Sequence, residues 1–401
     1  MGTKKVLAPI VAAAVSEGRD GAILDAFSGM CAVGQSVSIN RQVWNNDIQR
    51  FAATVARALF TSTQLLPTLS VTLDWHYPFF EEQLGRLERR FRLHIQREEA
   101  AIQKQSFRAL LACSKATESF FSGAHCRSVR RSRRNASERS YDLFALLYGG
   151  TYFGWKQCIE IDSIIFAIDT CIQRELISEQ QKDWLVVALG QAMLRVATTT
   201  GHFAQYTPVK AHTISRFVNQ RKRSIWAEWS RILPSLSPVH STNWRKRNRV
   251  FNEDSLSLVH RLRRSRGRPG VIYADPPYTN DQYSRYYHIF ETLILYDYPD
   301  VTGFARYRSN RFSTPFSLSR EVEGAFHRFT GDCAFLRSDL ILSYPTTGLL
   351  HQIGSNPLHI LRQHYRRAEV FHQGILNHST LGASKGAAKN VAVEVIYRAW
   401  S

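Results

Sequence analysis

The tetrapeptide Asp275-Pro276-Pro277-Tyr278 directly follows the apolar run Val271 to Ala274. Two consecutive prolines end a strand and stiffen the backbone where it leaves a sheet. In α/β sheets, ligands bind at the carboxyl ends of strands. A carboxylate and a backbone carbonyl held by that rigid pair present two acceptors suited to an exocyclic amino group, and the adjoining tyrosine ring can stack on a flat base. Chemistry on an extruded adenine has those requirements. The plainer alternative is a stiff turn with a solvated aspartate.

A second segment bears on the choice. Asp25-Ala26-Phe27-Ser28-Gly29-Met30-Cys31-Ala32-Val33-Gly34 follows a short apolar run and opens a helical pattern, the setting of a nucleoside-binding glycine loop. Gly29 allows a ligand close to the backbone, and Gly34 allows tight helix packing. Twenty-two residues after Asp25 comes Asp47, at the end of the next expected strand, where a carboxylate can accept from both hydroxyls of a ribose.

Together these motifs resemble the Dam-related DNA adenine-N6 methyltransferases, which carry a Phe-x-Gly-x-Gly loop, a recognition insert and then Asp-Pro-Pro-Tyr. Gly2-Thr3-Lys4, Tyr148 to Gly154, Asn252-Glu253-Asp254 and Ser284 to His288 resemble further stretches of that family. The resemblance is good over residues 1–60 and 248–401 and patchy between. It implies a Rossmann-like α/β fold of the S-adenosylmethionine-dependent type, mostly parallel with an antiparallel edge, plus a helical insertion domain. It also implies S-adenosylmethionine as cofactor, held by Lys4, Asp25, Phe27, Ser28, Gly29, Asp47, Asp254 and Asp275. The catalytic residues would be Asp275, Pro276, Pro277 and Tyr278, acting on a flipped adenine with no metal. Cys31 departs from the pattern, standing where the family has its second glycine, so cofactor affinity is expected to be normal or weakened.

The elements that must hold these motifs are split along the chain. A βαβ unit and a helix from Phe51 to Phe60 occupy the start, where Phe51, Val55 and Leu59 have helical spacing. The stretch from Leu65 to about Trp244 is helix-forming. Strands return at Val250 to Asn252, Gly270 to Ala274 and Leu340 to Tyr344, and two C-terminal runs, Ala368 to Phe371 and Val391 to Tyr397, can pair antiparallel. The expected division is therefore a first core piece at 1–63, a helical target-recognition insert at 64–247 and a second core piece at 248–401.

Composition fits a nucleic-acid substrate. The 401 residues hold 52 Lys+Arg against 33 Asp+Glu, a net +19. Residues 211–270 contain 14 Lys+Arg and three acids, with Trp226, Trp229 and Trp244 interleaved. Arg221, Lys222, Arg223, Arg245, Lys246, Arg247 and Arg249 are the expected phosphate contacts, and the tryptophans are candidates for stacking on bases. A solvated basic face is the alternative. The cluster Arg127, Arg130, Arg131, Arg133 and Arg134 reads as an exposed loop, able to touch DNA. His202 suits either a ligand or a structural role, whereas Phe153 and Trp155 read as core and Arg89, Arg90 and Arg92 as a solvated helix face.

The six cysteines form no CxxC pair, which argues against a zinc site or a disulfide framework and suits a reducing, cytoplasmic setting near the nucleoid. No apolar run is long enough to span a bilayer, so no membrane role is expected. Val6 to Val15 after Lys4 and Lys5 has a signal-like pattern but reads as core, since a strand and glycine loop follow at once. DNA is the expected partner, with a cognate restriction endonuclease alongside and a monomer as the default state. An RNA adenine-N6 methyltransferase, or a degenerate methyltransferase fold that only binds DNA, remains open as an alternative.

Overall fold

The computed structural model of the chain describes residues 3–37, 41–120, 140–378 and 390–401. Gly2, Cys126 and the Arg127–Arg134 cluster lie outside them, as does the side chain of Lys4. The chain divides into two compact units. One comprises Met1–Thr63, Pro238–Ser284 and Phe312–Ser401, and the other Gln64–Ser237 and Arg285–Arg311.

In chain order come α1 (Thr3–Ser16), β1 (Ile23–Asp25), α2 (Ala32–Val37), β2 (Val43–Asn46) and α3 (Arg50–Phe60). Helices follow: α4 (Leu69–Gln103), α5 (Phe107–Phe120), α6 (Leu143–Tyr148), α7 (Trp155–Gln173), α8 (Glu179–Val196), α9 (Ile214–Arg221) and α10 (Ile225–Ile232). The chain continues through β3 (Arg249–Phe251), α11 (Ser255–Leu262), β4 (Val271–Ala274), α12 (Ser284–Leu295), a hairpin of β5 (Val301–Thr302) and β6 (Tyr307–Arg308), then α13 (Val322–Phe335) and β7 (Asp339–Pro345). It ends with α14 (Pro357–His364), β8 (Arg367–His378) and β9 (Asn390–Trp400).

The first unit is built on a seven-stranded sheet of order β3-β2-β1-β4-β7-β9-β8. Strands β3, β2, β1, β4 and β7 are mutually parallel, while β9 runs antiparallel to both β7 and β8. This is the expected mixed α/β sheet with its antiparallel edge. The residues of β1, β4 and β7 are buried throughout, as strands covered on both faces must be, so they read in sequence as short, mostly apolar runs. One core packs Leu24, Ile272, Leu340 and Leu342 of the sheet against Leu258 and Leu262 of α11 and Phe326 and Phe329 of α13. The second strand of the expected βαβ unit begins at Val43, and Val37 belongs to α2.

The second unit is helical apart from the short hairpin. Helix α7 is buried on nearly every side, from Trp155 through Ile161, Ile164 and Ile168, which marks a central helix rather than an amphipathic surface one. Phe153 and Trp155 are core, as expected.

The second boundary differs from the expected 247/248. Residues 238–247 join the first unit because Val239 donates to the Leu59 carbonyl at 2.9 Å and the Arg245 guanidinium donates to the Ser62 carbonyl at 2.6 Å. Residues 285–311 join the second, where the Tyr296 hydroxyl reaches Asp162, the Tyr298 hydroxyl reaches Asp142 and Arg306 donates to the Leu147 carbonyl. Val6 to Val15 lies in α1, with Leu7, Val11 and Val15 buried. Among the described residues no helix is long and apolar enough to cross a membrane, and Cys31, Cys113, Cys158, Cys171 and Cys333 are free thiols.

Candidate active site at the carboxyl edge of the sheet

Register decides which chain ends meet. Asp25 of β1 pairs with Asn45 of β2 on one side and with Tyr273 of β4 on the other, and Asn46 pairs with Phe251 of β3. Parallel strands about 4.8 Å apart therefore release their chains along one edge. The glycine loop after β1, Asp47 after β2, Asp254 beyond β3 and Asp275 after β4 all emerge there. The β1/β4 contact continues one step beyond the strands, with the Ala26 amide donating to the Tyr273 carbonyl at 2.9 Å. The sheet order reverses direction between β1 and β4, a switch point of the kind that leaves a crevice for ligands.

The loop is pinned by its own backbone. The Ser28 amide donates to the Asn46 carbonyl at 2.8 Å, and the Gly29 amide donates to Asp47 Oδ2 at 2.9 Å. Gly29 has φ +49°, and a Cβ placed there would find no atom within 4 Å, so the residue faces open space. Glycine satisfies both the left-handed turn and a close approach by a ligand. Gly34 answers a different need, since a Cβ there would meet Asn45 Oδ1 at 3.0 Å and the Phe60 ring at 3.1 Å. Cys31, at φ +61°, is fully buried and in the left-handed region that glycine adopts without penalty. Burial, with the charges of Asp25 and Asp47 behind it, pushes its thiol well above the usual range.

Asp47 is buried and accepts from Gln49 N and Gly29 N, both at 2.9 Å. Burial raises its pKa from 3.8 to about 6 against the opposing pull of those two donors. Each carboxylate oxygen retains a further acceptor lone pair, so the group can still receive ligand hydroxyls.

On the neighbouring strand, Pro276 is buried, Asp275 is half-buried, and Tyr278 is half-buried with its carbonyl accepting from the Leu349 amide at 2.8 Å. Its hydroxyl is bonded to that of Tyr283, and burial raises its pKa.

Some expected site residues have other employment. The Phe27 ring packs on Phe316 at 5.5 Å and Phe329 at 6.0 Å, so it anchors the loop from below. Asp254 is the N-cap of α11 and accepts from the Ser257 amide at 3.0 Å. The stretch Tyr148 to Gly154 lies in the second unit, where Tyr148, Tyr152 and Phe153 are fully buried.

Two residues assigned no role of their own in sequence stitch the edge together. Asn46 Nδ2 donates to the carbonyls of Ala26 and Glu253, and Asn252 Nδ2 to those of Asp47 and Ile48. Asn46 follows the apolar pair Val43-Trp44, and polar amides at strand ends are the signal that marks such residues.

The expected phosphate contacts need correction. Arg221 is buried, donates to the Thr151 carbonyl at 2.6 Å and faces Glu98 at 3.8 Å. Arg245 is buried too, its guanidinium spent on the carbonyls of Ser62, Val239 and His240 and on Thr242. Neither can reach a phosphate. Arg223 is paired with Glu228. Lys222, Lys246, Arg247 and Arg249 are exposed, and among the described residues they pair with no carboxylate. Arg249 opens β3 with its guanidinium 4.4 Å from the Trp44 ring, so Lys246, Arg247 and Arg249 lie at the amino end of that strand, away from Asp275. Trp229 is core, its indole donating to the Leu185 carbonyl, and Trp226 stacks on Phe80 at 4.1 Å. His202 accepts from the Ala204 amide and packs on Tyr286.

Residues 238–340, which contain Asp275 to Tyr278, match the family model of the D12 class N6 adenine-specific DNA methyltransferases. The type II methyltransferase M.FokI of Planomicrobium okeanokoites is 26% identical over 202 residues, 50% of this chain and 27% of that protein. The modification methylase LlaI of Lactococcus lactis subsp. lactis is 24% identical over 199 residues, 42% of this chain and 29% of its own. For the modification methylase StsI of Streptococcus sanguinis the figures are 23% over 155 residues, 39% and 20%. The chain thus spans less than a third of the length of these curated relatives. No solved structure matches it.

Proposed function

With residues 238–340 carrying the D12-class N6 adenine-specific DNA methyltransferase signature, we propose that the protein transfers a methyl group from S-adenosylmethionine to the N6 amino group of adenine at a specific DNA sequence. One observation carries the reading: the glycine loop and Asp275 leave neighbouring parallel strands on the same edge of the sheet. A donor held by one lies beside an acceptor base held by the other.

The donor set fits a nucleoside with a sulfonium. Gly29 faces open space, Asp47 offers free acceptor lone pairs toward ribose hydroxyls, and Asp25 brings negative charge to the strand end. When bound, S-adenosylmethionine supplies an electrophilic methyl group. The Asp275 carboxylate and the Pro276 carbonyl accept the two amino protons of the base, which localises the nitrogen lone pair and aims it. Tyr278 stacks on the extruded ring. Rate comes from orientation and electrostatics. The proton leaves once the nitrogen is cationic, so Asp275 acts as a positioning acceptor and need not be a strong base.

Two of the relatives are named as modification methylases and the third as a type II methyltransferase, which extends the proposal to a restriction–modification role with a cognate endonuclease. Exposed Lys222, Lys246, Arg247 and Arg249 are proposed to contact DNA phosphates away from the target base. Expression in a methylation-free bacterial host, followed by modification-sensitive sequencing beside Asp275→Ala, tests the function. Modified adenines in one short motif, absent in the variant, support it; unmarked DNA with marked RNA assigns the RNA alternative.

A further inference from the structure

The two faces of the sheet carry different chemistry. Leu24, Trp44, Ile272, Leu342, Val395 and Tyr397 belong to the apolar core, and side chains alternate along a strand, so the residues next to them in sequence face the other way. Those include Asp25 of β1, Tyr273 of β4, Ser343 of β7 and Glu394 of β9, each at most 2% exposed. Asp25 pairs with Tyr273, and one step beyond the last β4/β7 pair, Ala274 with Leu342, Asp275 comes opposite Ser343. A residue before proline stays extended, so the Asp275 side chain leaves on that same face.

Glu394 is fixed where it stands. Ser343 Oγ donates to Glu394 Oε1 at 2.7 Å, the length of a hydroxyl bound to a charged acceptor. The backbone beside it reaches the Asp275 to Tyr278 segment: the Thr346 amide donates to the Val393 carbonyl at 2.9 Å, and the Leu349 amide to the Tyr278 carbonyl at 2.8 Å. Burial raises the Tyr273 hydroxyl above its usual range, and the charges of Asp25 and Glu394 push it the same way. Burial likewise dominates at the Cys31 thiol and the Tyr278 hydroxyl, with Asp25 adding to the first and Glu394 to the second. One acid therefore acts on the glycine loop and the other on the base-stacking tyrosine.

The proposed methyl transfer changes the charge above them. The N6–carbon bond forms as the carbon–sulfur bond breaks, the bonding pair stays on sulfur, and N6 then sheds a proton to water. The donor side thus holds a sulfonium before transfer and a neutral thioether after it. Negative charge fixed beneath the edge favours the first of these states.

We infer that Glu394, anchored by Ser343, and Asp25 form a buried anionic floor under the carboxyl edge of the sheet that selects the cationic donor over its neutral thioether product. The inference rests on the S-adenosylmethionine-dependent function proposed above. Glu394 acts through the interior rather than by contact with the reacting nitrogen.

Two strand spacings separate β4 from β9, about 9.6 Å, and a unit charge at about that distance, with an effective dielectric of about 20, changes an equilibrium roughly 10- to 20-fold. Calorimetric titration of the full-length protein with S-adenosylmethionine and, separately, with S-adenosylhomocysteine reads that preference as a ratio of affinities. Glu394→Gln keeps an acceptor for Ser343 and removes the charge. Its ratio should shift toward the thioether by about tenfold, with S-adenosylhomocysteine affinity and melting temperature unchanged, while Glu394→Asp should keep the wild-type ratio. A wild type that binds neither compound refutes the donor reading and the floor together. If the wild type binds both, a Gln variant that keeps the ratio, or that loses both affinities equally, overturns the floor and leaves the function standing. Should the Gln variant fail to fold, Ser343→Ala, which frees Glu394 from its anchor, takes the same measurement: a shift of the same sign supports the floor, and an unchanged ratio overturns it.

Discussion

Buried carboxylates in the two units do opposite work. In the helical unit Asp162 accepts from the amides of Phe144 and Ala145 at the start of α6 and from the Tyr296 hydroxyl. Glu160 accepts from Ser224 and from the amides of Ile225 and Trp226 at the start of α10, and Glu98 accepts from the Trp155 amide at the start of α7 while facing Arg221. Each closes a helix start whose first amides have no partner within the helix. Burial still raises all three pKa values, Asp162 to about 8. At the sheet edge of the other unit, Asp47 accepts from the Gly29 and Gln49 amides and keeps a further lone pair on each oxygen, while Asp25 and half-buried Asp275 stand where their strands end. The comparison teaches that a buried acid is structural when helix amides saturate it, and available for ligand chemistry when the chain leaves the sheet beside it.

Removing one member from each side breaks the contrast most directly. Asp275→Ala should lower the methylation rate by about 100- to 1,000-fold with an unchanged melting temperature, read by single-turnover methyl transfer and thermal unfolding. Glu98→Ala should do the reverse. It strands Arg221 as an uncompensated buried charge and should cost about 3–5 kcal/mol of stability in denaturant unfolding, with any lost activity regained where the variant is still folded.

Asp47 sharpens the comparison through pH. Its folded pKa of about 6 exceeds the usual 3.8, so the ligand-free protein binds the extra proton in that window and loses stability as pH rises through it. Cofactor binding runs the other way, because ribose hydroxyls need the carboxylate. Affinity should fall toward about tenfold per pH unit below about pH 6, and Asp47→Asn should bind weakly but with a flat profile. A wild-type titration that is flat from pH 5 to 7 would remove Asp47 from the ribose site.

The smallest effect concerns Cys31. Left-handed geometry costs a residue with a side chain roughly 1–2 kcal/mol, and glycine returns roughly 0.4–1 kcal/mol of that through its freer unfolded chain. Cys31→Gly should therefore stabilise the protein by at most about 1.6 kcal/mol, and cofactor affinity measured by calorimetry should rise or stay level.

Much of the sheet could be read in advance because fully buried parallel strands are short apolar runs ending in turn residues, as at Val271 to Ala274 and Leu340 to Tyr344. The C-terminal pair β8 and β9 was legible from its apolar and β-branched runs, although the pair is antiparallel and β8 is largely exposed. The arginine-rich segment was not. Arg221 and Arg245 look identical in sequence to Arg247 and Arg249, and only the carbonyls of Thr151 and Ser62 distinguish a buried guanidinium from an exposed one. Tryptophan gave the same difficulty, since Trp229 owes its place to the Leu185 carbonyl in another helix. The bridging roles of Asn46 and Asn252 were not legible because their partners are backbone carbonyls that meet only when strands are in register.

Local chemistry was determined by sequence alone: a stiff proline pair after an apolar run makes a strand end with two acceptors, and a glycine four residues after Asp25 makes a loop a ligand can approach. Whether those two segments are neighbours was decided only by tertiary structure. Nearly the whole helical unit separates β1 from β4 along the chain, and their pairing depends on backbone hydrogen bonds and shared burial that no spacing encodes. The same is true of the charges, because a side chain's composition sets its sign and the packing around it sets whether water, a carbonyl or a phosphate receives it.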